Sequence, residues 1–321
     1  MKILFLLLIS ILLTSCPHEA LPSLLNLLDK SDRIIPTLLE YEVLDKESIK
    51  VTFSESVELT TVEVDAVSSS YTLLQNGIYL ISSPHKLSIS KESELFMVAK
   101  DESGNSSSFI LPLYGLNDRI PTLLINEFSS RKSDTQPERV ELLVLQDGNT
   151  EGIYISDGAK GYENYGFSMP SLEVKRGDLI VIYWEVKPKE DKYKNRSGTM
   201  THNIYASSPT GLADNNGVFV LYKNKNGKAD IIDALLYSDF NSTTYSGFGS
   251  AKVESSSKLL KEEYEWFSEA FNCNSSTTTR TINRNISGID TNRREDFYIC
   301  ATREQSFGEY NSGKEYIEGE K

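Results

Sequence analysis

A chain of 321 residues is too long for one ordinary hydrophobic core and suits two domains. Its 39% apolar and 25% charged residues make it globular rather than disordered, and 17 Tyr with 13 Phe favour the pleated, half-buried surfaces of β structure. The formal charge of -13 repels phosphate backbones, which argues against a DNA or RNA ligand and leaves basic partners or cations as the species steered towards it.

The chain opens MKILFLLLISILLTSC, with Lys2 ahead of an apolar run from Ile3 to Leu13 and then Thr14, Ser15 and Cys16. A membrane-spanning helix needs about 20 apolar residues, so this shorter run reads as a signal peptide, residues 1–15, removed on export. Leu13-Thr14-Ser15-Cys16 resembles the lipobox of bacterial lipoproteins. The resemblance implies cleavage before Cys16 and acylation of its thiol, which would tie the exported chain to a cell-envelope membrane. The outer membrane or cell surface is favoured over the inner membrane. Several acyl chains, at about 0.8 kcal/mol per buried CH₂, hold a protein stably where one does not. Residues 16–32 form a tether in which Leu21, Leu24, Leu25, Leu27 and Leu28 fit a short amphipathic helix, with an unstructured tether as the alternative.

With Cys16 acylated, Cys273 and Cys300 remain, a candidate disulfide in an oxidising compartment. Two buried free thiols are the alternative, because a bridge needs Cα atoms within about 7 Å and spacing does not give that distance. His18, His85 and His202 are scattered, so no Cys/His metal cluster is expected.

Asp32-Arg33-Ile34-Ile35-Pro36-Thr37-Leu38-Leu39 nearly repeats as Asp118-Arg119-Ile120-Pro121-Thr122-Leu123-Leu124, and each copy marks a domain entrance. Between them, Ile49–Phe53, Gly77–Ile81 and Leu95–Val98 alternate with period two, and Asp101–Asn105 is turn-rich. Residues 33–117 are thus expected to form an antiparallel sandwich. Ser48–Val57 and Ala99–Asn105 resemble bacterial Ig-like domains, although the Cys pair and core Trp of antibody domains are missing. The resemblance implies a spacer or interaction module.

Residues 118–321 form the second expected domain. Leu124–Phe128, Glu138–Leu142, Gly152–Asp157, Leu172–Ile182, Gly217–Tyr222 with Gly227–Asp233, and the closing Thr281–Arg284 and Ser306–Asn311 resemble the lamin-tail domain, in that family's order. Arg139 stands where that family usually has an aromatic residue, Phe297 where it has Trp and Phe307 where Pro is frequent. The resemblance implies a second Ig-like β-sandwich. Read from the residues alone, Ile153, Ile155, Leu179, Val181, Val218, Val220 and Tyr222 alternate so that each strand buries one face. Ser257–Phe271 instead carries Leu259, Leu260, Tyr264, Phe267 and Phe271 at helical spacing, a short inserted helix with Ser257 placed to cap it. The expected fold is therefore all-β, two consecutive antiparallel sandwiches, with one helix in the second.

Carboxylates are the only candidates for chemistry. Glu127, Glu141 and Asp157 end early strands and are the candidate metal ligands, with Asp233 on a later strand; a Ca²⁺ loop packs its acids far more closely, so backbone capping and pairing with Arg are the expected roles. Gly-x-Ser-x-Gly is absent, His202 is the lone His of the second domain, and no phosphate loop or dinucleotide fingerprint appears. No catalytic residue and no cofactor is implied. The chain reads as a membrane-tethered, non-catalytic envelope module whose partners are the bilayer and a protein or envelope polymer. The alternative is an accessory or metal-binding module of an envelope hydrolase such as a nuclease.

Overall fold

The computed structural model describes residues 33–226, 230–242 and 250–319. The expected signal peptide, Cys16 and the leucines of the tether lie outside the described residues, as does Gly227 of the expected hairpin turn. Two compact units are present. One comprises Lys50–Pro84 and Glu94–Leu111 with the described residues up to Glu40; the other comprises Tyr41–Ile49, His85–Ser93 and the chain from Pro112 onward.

The first eight strands are β1 (Leu38–Val43), β2 (Ser48–Phe53), β3 (Glu58–Val64), β4 (Val67–Ser68), β5 (Ser70–Gln75), β6 (Ile78–Ser82), β7 (Ser93–Lys100) and β8 (Ser106–Leu113). They make two four-stranded sheets, ordered β1-β2-β6-β5 and β4-β3-β7-β8. Ile49, Val51 and Phe53 on β2, and Leu95, Met97 and Ala99 on β7, are buried at every second position, as the pleat requires of strands with one face on a core. Phe53 meets Phe109 of the other sheet edge-on at 5.6 Å.

The remaining strands are β9 (Leu123–Ser129), β10 (Arg139–Val144), β11 (Gly148–Asn149), β12 (Tyr154–Asp157), β13 (Tyr165–Ser168), β14 (Glu173–Val174), β15 (Leu179–Tyr183), β16 (Lys192–Lys194), β17 (Met200–Tyr205), β18 (Asn216–Tyr222), β19 (Ile231–Ser238), β20 (Phe271–Asn272), β21 (Ile282–Arg284) and β22 (Phe297–Ile299). A seven-stranded sheet, β16-β17-β15-β10-β9-β21-β22, packs on a five-stranded sheet, β13-β12-β18-β19-β20, and β11 pairs with β14 apart from both. Between the large sheets Phe128 touches Phe219 at 5.5 Å and Tyr237 at 4.9 Å, and Trp184 touches Phe219 at 5.7 Å. Each such side chain contributes about 1.5–3 kcal/mol by leaving water. The architecture is all-β sandwich; β9 with β10, β10 with β15 and β18 with β19 pair antiparallel, and β15 with β17 and β19 with β20 pair in parallel.

Two expectations need correction. The helix, α1 (Ala251–Glu263), starts earlier than its apolar spacing predicts: Ser250, extended and accepting from the Val253 N–H, is the cap, while Ser257 lies inside and donates to the Glu254 carbonyl. The chain leaves the helix at Tyr264, so Phe267 stands 60% exposed outside it. Secondly, Cys273 and Cys300 are both free thiols. They belong to different sheets: Cys273 follows β20 with Sγ 3.6 Å from the Asn215 carbonyl, and Cys300 follows β22 with Sγ accepting from the Thr281 N–H at 3.2 Å.

The strand reading also understates burial. Val218, Phe219, Val220, Leu221 and Tyr222 are all buried, because one face of the five-stranded sheet meets the seven-stranded sheet and the other meets α1 through residues such as Leu260.

Candidate functional site

The outer face of the seven-stranded sheet carries two of the sequence-predicted acids, Glu127 and Glu141. Strand β9 is bulged against β10: Glu141 pairs with Glu127, but Leu142 pairs with Ile125. The extra residue lets Ile125 and Phe128 both turn into the core while Glu127 faces out beside Glu141. Glu127 and Glu141 are each 0% exposed. A strap of residues 306–311 lies over them, after the last strand of the sheet. Ser306 donates its N–H to Glu127 at 3.0 Å and its hydroxyl at 2.9 Å, and Thr281 Oγ1 donates to Glu127 at 2.6 Å. Glu141 accepts from Asn126 Nδ2 at 2.7 Å and from the Gly308 N–H. Asn311 Nδ2 donates to the Asn126 carbonyl at 3.0 Å and to the Arg284 carbonyl at 2.8 Å. Gly308 has φ +87, and Tyr193 Oη stands where its Cβ would be, so glycine is required twice over.

Burial raises both carboxyls above the ordinary Glu range. For Glu141, raised furthest, the Glu127 charge adds to burial; the Gly308 and Asn126 donors and the Arg139 guanidinium oppose it. Glu127 is held lower by Thr281, Ser306 and Arg139. Such a pair keeps a proton through pH values at which an isolated Glu has lost it.

Asp157 is elsewhere, on β12, where its carboxyl accepts from Asn164 Nδ2 at 3.0 Å and burial raises it. The three candidate metal ligands therefore divide into an adjacent pair and a separate residue. Among the described residues no group of three or more His, Cys, Asp or Glu is placed to hold a metal ion. Asp233 serves a buried ion pair: it accepts from Arg284 Nη2 at 2.6 Å and from the Ala234 N–H at 2.8 Å, with both charged side chains 1% exposed. Burial pushes the Asp233 carboxyl up to about 6 against the pull of Arg284. Arg284 also donates Nε to the Ile125 carbonyl at 2.8 Å and lies over the Phe297 ring at 4.6 Å, which joins β19, β9 and β21 in one cluster. His202 Nε2 is 3.5 Å from Asp178 Oδ2; burial lowers its pKa while that carboxylate opposes.

Sequence reasoning missed the groove beside the strap. It has a volume of about 800 Å³ and runs between the loops that precede β10 and follow β15. Arg139 lies in it with its guanidinium 4.1 Å from the centre of the Phe307 ring and one Nη donating to Gln136 Oε1 at 2.8 Å. Tyr183 and Tyr193 line it, as does Asn203, whose buried Oδ1 has no donor. At one end Glu138, 3% exposed, accepts from the Leu212 N–H at 3.0 Å, and burial pushes its carboxyl up to about 7. The available signal was the alternation Arg139-Val140-Glu141, which places Arg139 and Glu141 on one face of a strand.

A Treponema pallidum (strain Nichols) protein named "Uncharacterized protein" is 25% identical over 208 residues, 60% of this chain. The chain covers about half, 51%, of that relative's length. The crystal structure of a DUF4876 family protein from Bacteroides thetaiotaomicron VPI-5482 matches 82% of this chain and 95% of its own, at 12% identity and a TM-score of 0.37. The model of the family described as "TP_1001_2nd: protein second domain" matches residues 121–299, more than half of the chain, and the chain belongs to that family.

Proposed function

We propose that this is an exported lipoprotein, held to an envelope membrane by lipid on Cys16, that acts as a non-catalytic binding or structural module. In this reading an Ig-like first sandwich is the spacer, and a lamin-tail-like second sandwich presents the groove around Arg139. The observation that supports it is how the acids are used. Glu127 and Glu141 hold the strap, and Asp233 holds Arg284, so the buried carboxylates serve the fold. The groove, by contrast, is open.

The accessory-module alternative would use Glu127 and Glu141 as metal ligands. Against it, both carboxyls already accept from N–H and O–H donors of Asn126, Thr281, Ser306 and Gly308, contacts that a cation at the pair would disturb. The test is mass spectrometry of the mature N-terminal peptide from membranes, together with a hydrolase screen over phosphoesters, peptides and glycans. An acylated Cys16 at the N-terminus and no turnover are expected. A mature chain starting elsewhere, or hydrolysis that follows the purified protein, overturns the reading.

A further inference from the structure

Resting on the reading of the second unit as a binding module, we infer that the groove is a site for an acidic saccharide, with Arg139 taking the carboxylate of a sugar ring. Arg139 stands over the Phe307 ring and forms no ion pair with any described residue. Its one hydrogen bond to a side chain, to Gln136, leaves donors of the planar fork for a second planar group. Lys187 and Lys189 line the same groove, also unpaired among the described residues. The lining carries four basic and four acidic side chains; Lys132 is paired with Glu138 and Glu185, which leaves Arg139, Lys187 and Lys189 as the cations outside a salt bridge, placed to meet an anion.

The rest of the lining narrows the class. Asp134 and Glu190 also border the groove, so a dense polyanion would be repelled where a single carboxylate per unit is accepted. Tyr183 and Tyr193 offer rings for the C–H faces of a pyranose.

The test is calorimetric titration of the full chain with short oligogalacturonate, beside neutral oligogalactose of the same length and poly-glutamate. Saturable binding of oligogalacturonate alone is expected, weakened about tenfold or more in Arg139→Met, as loss of a charge-assisted contact requires. Arg139 also neighbours the buried acids, so Lys187→Ala with Lys189→Ala, both on the rim, is the second variant and should weaken binding without moving the melting temperature. Equal binding of neutral oligogalactose, or no binding of any probe, overturns the proposal. Preference for poly-glutamate overturns the ligand class and leaves the binding-module reading standing. Release of new reducing ends from bound oligogalacturonate would instead refute the non-catalytic reading and leave the ligand class standing.

Discussion

Arg284 is a guanidinium from which almost all water has been taken, and its position depends on Asp233 and Asp290, which accept from Nη2 at 2.6 Å and Nη1 at 3.2 Å. Cutting one partner of such a buried pair strands the other charge. Asp233→Leu should therefore lower stability by about 3–5 kcal/mol in urea denaturation, and Asp233→Leu with Arg284→Met should recover much of that loss. A double variant no more stable than the single would show that the pair is not the origin of the cost. The acids under the strap behave differently, because their pKa values are raised. A carboxyl whose folded value lies above its unfolded value contributes stability that is fully present below about pH 4.5 and is lost as pH climbs through the folded value. The loss amounts to at most about 1.4 kcal/mol per pH unit for one proton. Glu141→Gln, neutral at every pH, should flatten the decline of stability above pH 4.5. An unchanged slope in denaturation curves from pH 4 to pH 8 would refute the raised value.

The strap is an element without regular structure, held by its donors and by two close fits. At Gly308 a side chain would require both left-handed backbone, φ +87, and displacement of Tyr193; at Gly198, φ +81, it would meet nothing within 4 Å. Gly308→Ala should thus cost distinctly more in melting than Gly198→Ala, whose backbone strain alone is worth about 1 kcal/mol. Equal costs would mean that the strap moves aside freely. At the helix, Ser250→Ala should cost about 1 kcal/mol and Ser257→Ala should leave the cap intact, the reverse of what apolar spacing implies. That inversion shows what periodicity reports. Leu260 is buried on the sheet and was visible in the pattern, whereas the start of the helix is set by where the Ser250 backbone turns extended.

At the scale of the molecule, the sandwich was legible because Ile49, Val51 and Phe53, or Val218 and Val220, announce the pleat directly. The site was not, because it depends on register. Glu127 and Glu141 meet through a bulge, and Arg139 joins the groove through Phe307, well over a hundred positions away in sequence. No local pattern encodes either. The cysteines failed for a similar reason: parity suits a bridge, but different sheets hold the two thiols apart. A reductant should therefore leave the melting temperature unchanged. A thiol reagent should reach Cys273, whose buried thiol is pushed up to about 12, only on unfolding. A drop in melting temperature with reductant would overturn the free-thiol assignment.

The strap follows every strand of the sheet that it covers. Without Ser306 and Gly308 the two glutamates lose those donors and their cover, so the middle of that sheet face is left open to water. A chain truncated just short of the strap should expose that face to protease, and one extended past Asn311 should protect it.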